Sequence, residues 1–61
     1  MTTLKSLREF AAQLIVKNPD HQDEILDLYH LAVSEVEEGG SESHECHLAY
    51  NDMISLIKEG E

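Results

Sequence analysis

Tryptophan is absent from this chain, cysteine and proline occur once each, as Cys46 and Pro19, and glycine only three times. A lone cysteine excludes an intrachain disulfide, and with no CxxC pair there is no framework for a structural zinc; a reducing, cytoplasmic setting is expected. Gly39-Gly40 has neither a following lysine nor a preceding strand, so it is no phosphate-cradling loop. The first ten residues, MTTLKSLREF, contain no unbroken apolar stretch and no small-residue cleavage site, which leaves no reason to expect a signal peptide, and no membrane contact is expected. Basic residues are the remaining scarcity: four Lys and Arg face 13 Asp and Glu, for a net charge of −9.

That charge is unevenly spread. Residues 1–17 carry three cations and one anion, +2, whereas residues 18–61 carry one cation and twelve anions, −11. An acidic body of this kind repels nucleic acid and anionic lipid and is steered toward basic surfaces. A hydrophobic content of 41% still argues for a folded chain. At 61 residues it reads as one small domain, 1–61, whose core supplies only about 3–5 kcal/mol. Partnership with itself or with another protein is therefore expected.

Two breaks divide the chain into three helices, 3–17, 19–38 and 42–58, and the fold class reads as all-α. At Asn18-Pro19-Asp20, Asn18 is suited to cap a new helix, Pro19 to its first position and Asp20 to the positive end of its dipole. At Gly39-Gly40-Ser41 a glycine can end one helix in a left-handed conformation while Ser41 caps the next. Each segment gathers its apolar residues on one arc. These are Leu4, Leu7, Phe10, Ala11, Leu14 and Ile15 in the first; Ile25, Leu26, Leu28, Tyr29, Ala32, Val33 and Val36 in the second; Cys46, Ala49, Tyr50, Met53, Ile54, Leu56 and Ile57 in the third, with Gly60 just past its end. Helices two and three form an antiparallel hairpin. Helix one either crosses it, or packs on a partner subunit, because so short a link is strained for a reversal.

Ser43-His44-Glu45-Cys46-His47 holds every common zinc-ligand type, but helical geometry works against a site. His44 and His47 stand about 60° apart, whereas Cys46 is about 160° from His44 and in the apolar arc. His44 and His47 are weak metal candidates at most, no cofactor is expected, and Cys46 reads as a small core residue. His30, between the apolar and acidic arcs near Asp23, Ser34 and Glu37, reads as a solvated histidine. An enzyme is not expected: a thiol in the core arc lacks the accessible thiolate that nucleophilic catalysis requires.

The outer face of helix two is more informative. Asp20, Asp23, Glu24, Asp27, Glu35 and Glu38 form an acidic stripe with Leu31 inside it, in which neighbours three or four positions apart stand about 5–6 Å from each other. This charge pattern resembles that of small acidic inhibitors that act as DNA mimics, in pattern alone and with no shared motif; a solvated face is the simpler reading. Val16, Leu31 and Leu48 lie outside the apolar arcs and are candidate oligomer contacts. The expectation is a small acidic interaction module, a regulator or inhibitor binding the basic surface of a larger protein, assembled as a homodimer. The alternatives are a DNA mimic, and a metal-binding or structural assembly subunit.

Overall fold

The computed structural model describes residues 3–59. Among them are three α-helices, α1 (Leu4–Lys17), α2 (Gln22–Glu37) and α3 (Glu42–Glu59), a 3-10 turn at Pro19–His21, and no strand. Helices α2 and α3 pack closely and α1 packs against both. The Cα radius of gyration is 10.9 Å, close to the about 10 Å expected of a chain folded on itself. Gly60 falls outside the described residues.

Helix α1 begins at Thr3, whose Oγ1 accepts the Ser6 N–H at 3.1 Å as an N-cap. A second orphan donor there, the Leu4 N–H, is taken by Glu42 Oε2 at 2.8 Å. A carboxylate from the first turn of α3 thus closes the first turn of α1, where the helix dipole favours negative charge.

The first break differs from the sequence expectation in two respects. Asn18 caps the end of α1 and not the start of the next helix: its backbone N–H and its Nδ2 both donate to Leu14 O, at 2.7 and 3.1 Å. Its position before Pro19 keeps it out of the helical region, so α1 must stop. Helix two also does not begin as an α-helix. His21 N–H bonds back to Asn18 O at 3.0 Å, a three-residue 3-10 closure, and α geometry starts at Gln22. The tighter turn lengthens the reversal beyond a single linking residue and brings α1 back onto the hairpin.

The second break follows expectation. Gly39 N–H donates to Val36 O at 3.1 Å and Gly40 N–H to Glu35 O at 2.9 Å, the paired bonds of a Schellman motif. Gly39 has φ +106°, and a Cβ on Gly40 would stand 2.8 Å from Glu35 O, so both positions demand glycine. Ser41 then starts α3, its Oγ accepting His44 N–H at 3.4 Å and its carbonyl accepting Glu45 N–H at 2.9 Å.

Leu7 and Ala11 from α1, Ile25 and Ala32 from α2, and Cys46, Ala49 and Met53 from α3 make the buried core. Around it pack Leu4, Phe10, Leu14, Ile15, Leu28, Tyr29, Tyr50, Leu56 and Ile57. Phe10 and Tyr50 join α1 to α3 with ring centroids 4.6 Å apart at 47°, a favourable tilted geometry. The enclosed strip is narrower than the apolar arcs. Leu26, Val33 and Val36 are only half-buried. Ile54, assigned to the core from its arc, is 41% exposed, because it projects about 100° away from its buried neighbour Met53.

Candidate functional site: an acid-rimmed groove between α2 and α3

Ala32 and Ala49 lie where α2 and α3 face each other, and both are buried. Small side chains at that point leave a depression between the larger ones flanking them. Leu28, Leu31 and Glu35 of α2 and Glu45, Leu48 and Asp52 of α3 wall a hollow of about 230 Å³ above the two alanines. A second hollow of about 410 Å³ shares Leu28, Leu31 and Asp52 with the first and continues along Glu24, Asp27, Ser55, Leu56 and Glu59. Compared with the roughly 30 Å³ occupied by a liquid water molecule, both have room for side chains. Together they form one groove along the hairpin, and no residue of α1 lines it.

The groove arises from two sequence rows. Besides Ala32, Ala49 and Ser55, the lining residues on α2 are 24, 27, 28, 31 and 35, and on α3 they are 45, 48, 52, 56 and 59, steps of mostly three and four that keep each row on one side of its helix. Antiparallel packing places Glu35 and Glu45 toward one end and Glu24 and Glu59 toward the other. Leu31, 57% exposed, and Leu48, 45% exposed, line the same hollow from opposite helices, although they are 17 positions apart in sequence.

The acidic stripe is divided by this geometry. All six of its carboxylates are exposed, but only Glu24, Asp27 and Glu35 border the groove; Asp20, Asp23 and Glu38 do not line it. Glu45, Asp52 and Glu59 complete the rim from α3 and are not among the site residues expected from the sequence. Their signal is the three-four spacing with Leu48 and Leu56 between them, and it acquires meaning only when α3 lies beside α2. No Lys or Arg lines the groove, and no Lys or Arg is ion-paired to a carboxylate among the described residues. Glu24 has only His21 Nδ1, at 3.7 Å, beyond hydrogen-bond range, and that nitrogen is buried without a partner. The rim charges therefore have no Lys or Arg partner among the described residues.

The other candidates separate. Val16, 82% exposed, is on α1 and outside the groove. His30 is exposed, its ring 5.6 Å from that of Tyr29, and contributes to a different hollow between α1 and α2 that also carries Arg8. His44 and His47 are exposed while Cys46 is fully buried, and no group of three metal-ligating side chains gathers among the described residues. Burial pushes the Cys46 thiol pKa up, and the negative charges of Glu42 and Glu45 push it further in the same direction. A protonated, enclosed thiol is a poor nucleophile. Burial also raises the Tyr50 hydroxyl, with smaller contributions from Cys46 and Glu9. No described helix is long and apolar enough to cross a membrane.

Comparison with protein-family models, curated proteins and solved structures finds no match to this chain.

Proposed function

We propose that this chain is a protein–protein interaction module whose α2–α3 face binds a basic surface of a larger protein, as a small regulator or inhibitor. The observation that supports this reading is the groove itself: two exposed leucines at its centre, six carboxylates around it and no cation among its lining residues. Apolar contact at the centre of an interface supplies affinity, while a charged rim steers encounter and selects the partner's sign. The same arrangement argues against the groove as the seam of the homodimer expected from the sequence. A two-fold dimer places the same patch on both sides, so the carboxylates would oppose one another. In this reading Leu31, which belongs to the acidic stripe, and Leu48 beside it serve partner binding.

DNA mimicry would use the carboxylates and not the leucines, which makes the two readings separable. Affinity capture from the source cells with the native chain, with Asp27→Lys/Glu35→Lys/Asp52→Lys and with Leu31→Ser tests them. The expected result is a partner protein retained by the native chain, lost on charge reversal, eluted by salt and weakened by Leu31→Ser. Retention by the charge-reversed chain sinks the basic-partner reading; full retention by Leu31→Ser together with loss on charge reversal favours mimicry.

A further inference from the structure

The chain contains its own example of what the acidic hairpin accepts. Helix α1 has 14 residues, carries three cations against one anion, and packs an apolar stripe that includes Leu7, Phe10 and Ala11 against α2 and α3. One face of the hairpin is thus covered by a basic amphipathic helix. The groove, whose lining includes nothing from α1, likewise has apolar walls over small residues, and it adds acidic margins where the docking of α1 uses no ion pair among the described residues.

Resting on the interaction reading above, we infer that the groove receives one α-helix of the partner protein, basic and amphipathic, three to four turns long. Length follows from the lining. Glu24 to Glu35 spans about 16 Å along α2 and Glu45 to Glu59 about 21 Å along α3, which a helix of about 11–14 residues matches. The two connected hollows call for large apolar side chains at i, i+3 or i+4, and i+7, the spacing that keeps them on one side of a helix. Lysines or arginines flanking that stripe on both sides would meet the carboxylates of α2 along one margin and those of α3 along the other. A flat basic surface, or one without the stripe, would satisfy the rim and leave Leu31 and Leu48 in water.

The probe is a synthetic peptide of about 14 residues built from leucine, alanine and lysine, with leucines at the stipulated spacing, end-capped and fluorescently labelled. Its control is a scrambled peptide of identical composition, and binding to the full chain is followed by anisotropy. The striped peptide is expected to bind at least about tenfold more tightly than the scrambled one, a difference of about 1.4 kcal/mol. Leu31→Ser/Leu48→Ser, shown by circular dichroism to remain folded, should erase that advantage and leave the weak charge-driven binding common to both peptides. Equal binding of the two peptides to the native chain overturns the helix-in-groove proposal and leaves the broader basic-partner reading standing. No binding of either peptide overturns both. A sedimentation measurement that finds a dimer dissociated by Leu31→Ser/Leu48→Ser, and unable to take up the peptide, also overturns the proposal by assigning the groove to a second copy.

Discussion

The hairpin of α2 and α3 has two flanks built from similar materials. On one, Ile25, Cys46 and Met53 are fully buried under Leu7 and Ala11 of α1; on the other, Leu31 and Leu48 border an uncovered groove. Both have aliphatic side chains at helical spacing. The difference is what lies at their margins and what covers them. Where α1 packs, Glu42 is used internally, its carboxylate closing the first turn of α1. Along the groove the carboxylates of Glu24, Asp27, Glu35, Glu45, Asp52 and Glu59 have no lysine or arginine partner in the described chain. Apolar residues on one flank therefore hold the fold, whereas Leu31 and Leu48 on the other are left partly in water.

Truncating the covered flank should have the largest effect. Met53→Ala deletes a fully buried side chain, a change that costs about 2–5 kcal/mol, comparable to the whole stability expected for so small a core. The variant is expected to be largely unfolded at 25 °C by circular dichroism, and a cooperative melt within a few degrees of the native chain would refute this assignment of the core.

An intermediate effect is expected at the contact that joins the first turns of α1 and α3. Glu42→Ala removes the acceptor for the Leu4 N–H and should cost about 1 kcal/mol in chemical denaturation, with Glu42→Gln recovering part of it because an oxygen acceptor remains. Equal stability of all three chains would show that the contact contributes nothing.

The smallest effect on stability belongs to the groove. Leu31→Ser should change unfolding free energy by no more than about 0.5 kcal/mol, since its side chain is largely in water. A loss as large as that of Met53→Ala would erase the distinction between the two flanks.

Much of the architecture is legible in the residues. Gly39 and Gly40 end α2, Ser41 opens α3, and the apolar spacing of each segment identifies every fully buried residue. The errors arise where local signals compete. Asn18 is a good cap for either neighbour, and the proline after it together with the carbonyl of Leu14 decide in favour of α1. Ile54 belongs to the apolar arc by angle, but an arc does not specify how much of it a neighbouring helix will cover. The site is half legible: the stripe on helix two and the outlying Leu31 and Leu48 are visible in the residues, whereas Glu45, Asp52, Leu56 and Glu59 become a rim only when α3 lies beside α2.

Local chemistry by itself determined three helices, their approximate ends and an acidic hairpin following a basic first helix, because caps, breakers and helical periodicity act within a few residues. Only the tertiary structure decided that Glu42 closes α1, that six of the carboxylates form a common rim and that Leu31 and Leu48 line the same groove. Those relations depend on the antiparallel alignment and close approach of α2 and α3 at Ala32 and Ala49, and the spacing of residues along one helix cannot specify the position of another.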